Sequence, residues 1–168
     1  MHNHFELFGL APGFGIEAEA LERSYREIQS RVHPDRFAHA GDAERRASLQ
    51  WTTRVNEAYR VLKDPVKRAR HLLELHGVDV AFETNTAMPP EFLMQQMELR
   101  EALEAAKDPA KLDDLRAQLR GSRTVLEAEI AQAIDGEKDY AGAAGLVRKL
   151  QFLDKLDSEI DAAYDTVE

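Results

Sequence analysis

Pro34 sits between two stretches whose apolar residues repeat at helical spacing, and this leaves the start of the chain little choice but a pair of helices joined by a loop. From Glu17 to Val32 the residues Leu21, Tyr25, Ile28 and Val32 fall at i, i+4, i+7 and i+11, one face of a helix, with no strand-like alternation. Pro34 ends that helix, because the residue before a proline is pushed out of the helical region. A loop from His33 to Gly41 leads to Asp42, read as an N-cap, and then to a helix in which Ala47, Trp51, Val55, Ala58 and Leu62 share a face. Trp51 is therefore expected in the core. Each helix has one stripe to bury, and the other helix is the nearest surface.

The same reasoning extends along the chain. Phe5, Leu7, Phe8 and Leu10 are available to cover the helical pair. Asp64 followed by Pro65 reads as N-cap and first helical residue of a further helix that passes through Leu72, Leu73 and Leu75 and stops at Gly77. Residues 78–90, with Thr84, Asn85, Thr86, Pro89 and Pro90, read as a stiff connector. Beyond it, helices are expected over Glu91 to Lys107, Pro109 to Ile134 and Tyr140 to about Thr166, broken at Asp108 and at Asp135-Gly136, and a three-helix bundle packs them economically. The predicted fold is all-α: a helical unit over 1–77, a connector over 78–90 and a bundle over 91–168.

Composition narrows the function. The 168 residues include no cysteine, which removes disulfides, thiolate nucleophiles and any zinc site or cluster held by the protein's own sulfur. No apolar run approaches the roughly 20 residues that cross a bilayer, and no signal or transit pattern opens the chain, so a soluble, cytoplasmic protein is expected. The net charge of -9 argues against a nucleic-acid backbone as ligand. Residues 1–77 hold 12 Lys+Arg and 11 Asp+Glu, a net of +1, whereas residues 78–168 hold 10 and 20, a net of -10. Two halves with opposite electrostatic preferences follow.

His33, Pro34 and Asp35 are the first candidate site. A helix stop and an aspartate satisfying loop amides would account for three such residues alone, but their place between two helices argues for more. Pro34 fixes the exit angle, His33 orders the turn, and Asp35 is left as an acceptor-only carboxylate able to take an arginine from a partner. Arg23, Arg26, Arg31 and Arg36 lie on or just beyond the helix, off its apolar stripe, and as a group suggest a salt-sensitive dock for an acidic surface.

The second candidate site comes from a helix with too many apolar faces. At about 100° per residue, Phe92, Leu99, Leu103 and Ala106 cluster on one side, and Leu93, Met94 and Met97 roughly on the other. One core cannot bury both. Glu98, Arg100 and Glu101 border the second cluster as a polar rim, and Phe152 is displaced from the Leu146, Leu150, Leu153, Leu156 and Ile160 stripe of the last helix. Methionines with an aromatic anchor suit an adaptable protein interface. His2 and His4 near the amino terminus, and His39, His71 and His76, show no metal-site spacing and are read as bystanders, so no metal and no cofactor is expected.

The helix, His33-Pro34-Asp35, and antiparallel helix with Val55-Asn56-Glu57-Ala58-Tyr59-Arg60-Val61-Leu62 together resemble a J-domain, the module that stimulates ATP hydrolysis by DnaK-type chaperones. Phe92 to Glu101 and Arg148 to Leu156 resemble the HscB type of J-protein, from iron-sulfur cluster assembly. The resemblance spans nearly the whole chain. It implies a non-enzymatic co-chaperone with an L-shaped arrangement of two domains. The first would bind the ATPase HscA through His33, Pro34, Asp35 and the four arginines, with Asp35 biasing it towards hydrolysis. The bundle would bind the cluster scaffold IscU through Leu93, Met94, Met97, Glu98, Arg100, Glu101 and Phe152. Arg36 stands where many members have lysine, with charge retained, and the cysteine motif of some eukaryotic members is absent, which fits a bacterial protein. A general J-protein for unfolded clients is the alternative, although the Gly/Phe-rich or zinc regions it would bring are missing. A hydrolase using His33 and Asp35 is disfavoured, since neighbours across a proline do not form a triad and no nucleophile motif exists.

Overall fold

The structure, a computed structural model, describes residues 3–80 and 88–167, and among them every regular element is helical. Seven α-helices follow in order: α1 His4–Leu7, α2 Ala18–Val32, α3 Asp42–Lys63, α4 Pro65–Leu75, α5 Pro90–Ala105, α6 Pro109–Ala131 and α7 Tyr140–Val167. A 3-10 turn, Pro34–Phe37, lies between α2 and α3, and a π-turn, Gln132–Gly136, ends α6. The chain divides into two compact units, 1–77 and 78–168. Most of the connector read at 78–90 lies outside the described residues, as does His2.

In the first unit α2 and α3 pair, with α1 and α4 packed on α3. Leu21, Val55, Ala58, Leu62, Val66, Ala69, Leu72 and Leu73 are buried, and Phe5, Phe8 and Phe14 close the core from the amino-terminal side. Asp64 caps α4 by accepting from Val66 N at 3.0 Å, with Pro65 as its first residue. Gly77 takes the left-handed conformation at φ +75°, the helix stop that a residue without Cβ allows.

Two expectations for α3 need correction. The N-cap is Gly41, and Asp42 lies in the first turn, ion-paired with Arg45. Trp51 is not core: it is 44 % exposed, and Ala47 is exposed too. The helical register was right, since Trp51 shares its face with Val55, Ala58 and Leu62. The stripe itself stays covered there, since Ser48, three residues nearer the start of α3, is buried against the end of α2, and Trp51 is left open at its edge.

In the second unit α5, α6 and α7 bury Phe92, Leu99, Ala106, Leu112, Leu115, Leu119, Leu126, Ile130, Val147, Leu150, Leu153, Leu156 and Ile160. Asp108 caps α6 through Lys111 N at 3.0 Å. Arginines tie the helices along the acidic edge of α7. Arg100 of α5 pairs with Glu159 at 2.9 Å, Arg116 of α6 with Asp157 at 3.4 Å and with Asp161, and Arg123 with Asp154. Part of the acidic excess is thus neutralised inside the bundle. The hydrogen bond that Arg116 donates to Asp161 raises the Arg116 pKa against the opposing effect of burial. The break expected at Asp135-Gly136 falls just after it: both residues belong to the widened π-turn, and Lys138 beyond them is left-handed at φ +58°.

Candidate functional site

The loop after α2 is held by three side chains. Ser48 Oγ on α3 donates to the carbonyl of Val32 at 2.5 Å. Thr52 Oγ1 lies 3.2 Å from that carbonyl and 2.9 Å from Ser48 O, sharing its proton between them. These hydroxyls satisfy a carbonyl that the end of a helix leaves open. His33 then turns away with ψ 134°, as a residue before proline must, and its Nδ1 accepts the N–H of Asp35 at 3.2 Å. Arg36 N donates to His33 O at 3.0 Å, closing the turn.

The consequence is a presented carboxylate. Asp35 projects from the turn with its side chain 93 % exposed, while its own amide is occupied by His33. An exposed carboxylate on a hydrogen-bonded turn can receive a guanidinium with little further ordering. Ser48 and Thr52 were not singled out from the sequence. The available signal was Ser48 itself, a hydroxyl in the i, i+7, i+14 register with Val55 and Leu62 where an apolar residue would be expected.

Arg23, Arg26, Arg31 and Arg36 are all exposed. Arg26 pairs with Glu22 at 2.7 Å and Arg31 with Glu27 at 2.6 Å, each four residues along α2, and such surface pairs are easily exchanged for a partner's charge. Helix α2 carries three arginines and three glutamates, so its field is that of a striped surface rather than a uniformly basic one.

On α5, Leu93 is 42 % exposed and Met94 and Met97 each 62 %, with Glu98 and Glu101 exposed beside them. Arg100 is half-buried and reaches both oxygens of Glu159 through Nη1. Phe152 of α7 is half-buried, its ring 6.2 Å from that of buried Phe92, and the Lys149 ammonium stands 5.6 Å from the Phe92 ring centre. Gln96, unremarked in the sequence, is 8 % exposed on the inner face of α5, and its Nε2 has no hydrogen-bond partner among the described residues.

A family model described as the DnaJ domain matches residues 3–71, and one described as the HSCB C-terminal oligomerisation domain matches residues 88–161. The co-chaperone protein HscB homolog of Ralstonia nicotianae is 51 % identical over 98 % of this chain and 96 % of its own. The chain belongs to the HscB family of co-chaperones. The HscB homolog of an Azoarcus strain is 50 % identical over 99 % of the chain and 96 % of its own. Among solved structures, the chaperone HscB from Vibrio cholerae superposes with a TM-score of 0.87 at 36 % identity, covering 99 % of this chain and all of that one. The human co-chaperone protein HscB gives 0.91 at 25 % identity, over 96 % of this chain and 81 % of that one. The HscB fold, a J-domain followed by a helical region, is the fold found here, and the curated relatives are named as co-chaperones. No group of three or more potential metal-binding side chains occurs among the described residues, and no helix there is long and apolar enough to cross a membrane.

Proposed function

We propose that the chain is a non-enzymatic, cytoplasmic adaptor of iron-sulfur cluster assembly. Its J-domain, residues 1–77, engages the DnaK-type ATPase HscA through His33, Pro34, Asp35 and the arginines at 23, 26, 31 and 36. Its bundle, residues 91–168 after the connector, carries the scaffold protein IscU on Leu93, Met94, Met97, Glu98, Arg100, Glu101 and Phe152. The observation that supports the reading best is the fully presented Asp35 carboxylate on a turn held by His33, Ser48 and Thr52. An apolar surface on α5 that the bundle leaves uncovered supports the second role, because exposed methionines inside a polar rim suit a protein partner.

The test separates the two ends. Asp35→Asn keeps the turn but removes the charge, and should abolish stimulation of HscA while IscU binding in calorimetry stays unchanged. Replacing Leu93, Met97 and Phe152 with alanine should weaken IscU binding at least about ten-fold, since apolar anchors at an interface centre are each worth of the order of 1 kcal/mol or more. Basal stimulation without scaffold should remain. Full stimulation by the Asp35 variant, or unchanged scaffold affinity in the triple variant, contradicts the corresponding half.

A further inference from the structure

The bundle keeps a second open surface. Phe92, at the start of α5, meets Phe152 of α7, and Arg100 further along meets Glu159, so α5 lies beside α7 from Phe152 onwards. Ahead of that level a groove runs between α6 and α7 towards the π-turn. Its nearer part, about 370 Å³, takes Phe92 from α5, Lys149 and Leu153 from α7 and Ser122 from α6. Its farther part, about 630 Å³, takes Gly142 and Leu146 from α7 and Gln132 and Ala133 from the π-turn. Val125 and Glu129 line both parts, so the groove is continuous, and Val125 is 60 % exposed in it.

The charge here differs from that of the rest of the bundle. Asp154, Asp157, Glu159 and Asp161 of α7 are paired with arginines. Glu129, Glu137 and Asp139, which line the groove, form no ion pair among the described residues, and Asp139 Oδ1 accepts the Gly142 N–H at 3.0 Å. The acidic excess of this unit is thus left open at the groove. An apolar floor rimmed by unpaired carboxylates attracts a basic, apolar peptide segment and repels nucleic acid and anionic lipid.

We propose that this groove receives a basic, apolar segment of the same scaffold protein that sits on Leu93, Met97 and Phe152, as a second contact outside that patch. The inference rests on the scaffold reading. Continuity selects the occupant. Lys149 in the groove and Phe152 in the patch are three residues apart on one face of α7, both are partly exposed, and both approach the ring of Phe92. A body seated on Phe152 therefore borders the groove. Chemistry selects the segment: an apolar side chain against Val125 and Leu146, with Lys or Arg towards Glu129, Glu137 and Asp139. Charges on such a rim quicken encounter, and a second seated segment slows release.

Methyl NMR of the full chain with labelled valine and leucine reads the groove at Val125 and Leu146 and the patch at Leu93. Adding IscU should shift all three. In calorimetry Val125→Glu, a change at an exposed site, should weaken IscU binding about five-fold. Glu129→Lys combined with Glu137→Lys should weaken it at low salt and flatten its salt dependence. Both variants should stimulate HscA without scaffold as the unsubstituted protein does. Val125 and Leu146 signals that stay put while Leu93 shifts, or an unchanged affinity in both variants, overturn the groove contact. So do groove signals that move on dilution of the protein alone, which would mean a second copy fills it. If the variants do not fold, the methyl signals of the unsubstituted chain decide alone. Failure of the scaffold reading looks different: IscU then moves no signal, Leu93 included, and gives no heat of binding.

Discussion

His71 shows how one side chain can be a tie where the sequence offered only a spare histidine. It is 5 % exposed, its ring stacks at 4.4 Å on His4, and its Nε2 accepts the His4 backbone N–H at 3.1 Å. A nitrogen that accepts cannot also carry a proton, and burial, with the nearby His4 charge adding to it, lowers the His71 pKa to about 4. The unfolded chain titrates this group near 6.5. Above that value both states are neutral and the stability is fully present. As pH falls towards 4 the unfolded state takes up a proton that the native state refuses, and stability declines by up to about 3 kcal/mol before levelling off. In His71→Gln, whose amide oxygen can still accept from His4, urea melts between these pH values should show a slope smaller by about one proton, roughly 1.4 kcal/mol per pH unit. An unchanged slope would mean that His71 is protonated in the fold. Spacing could not reveal this, since the contact joins positions 67 residues apart.

At the level of elements, periodicity identified which face of each helix is apolar, and could not say how much of that face its neighbours cover. The Asp-Pro pairs at 64 and 108 marked their helix starts because capping is a local event, settled within three residues. Trp51 was misplaced because cover is not local. The surplus face of α5 was legible for the opposite reason, since two apolar clusters on opposite sides of one helix exceed what any single core can take. The break between α6 and α7 was read at Asp135-Gly136, and the backbone turns just beyond, at Lys138, where an L side chain meets the crowding that glycine avoids. Lys138→Gly is accordingly expected to raise stability by about 0.5–1 kcal/mol in urea denaturation. A loss of stability would show that the lysine side chain contributes more than its backbone strain costs.

For the whole molecule, two units with separate cores would let one chain handle the two partners proposed for it. The two units, residues 1–77 and 78–168, carry net charges of +1 and -10. If the two roles are carried by separate units, combining Asp35→Asn with the Leu93, Met97 and Phe152 alanines should add the single defects without interaction, as sites with no shared neighbours do. A combined variant whose scaffold affinity differs from that of the triple variant alone would reveal coupling between the units.

The clasp on Val32 also sets an order of events. Ser48 reaches back 16 residues and His71 reaches His4 across 67, so closing the second loop costs about 1.3 kcal/mol more chain entropy than closing the first. The turn bearing Asp35 is therefore expected to gather earlier, with the amino-terminal strap fastened afterwards. Loosening the strap at His71 should then leave the refolding rate nearly untouched and appear as faster unfolding, which stopped-flow refolding and unfolding of His71→Gln would check.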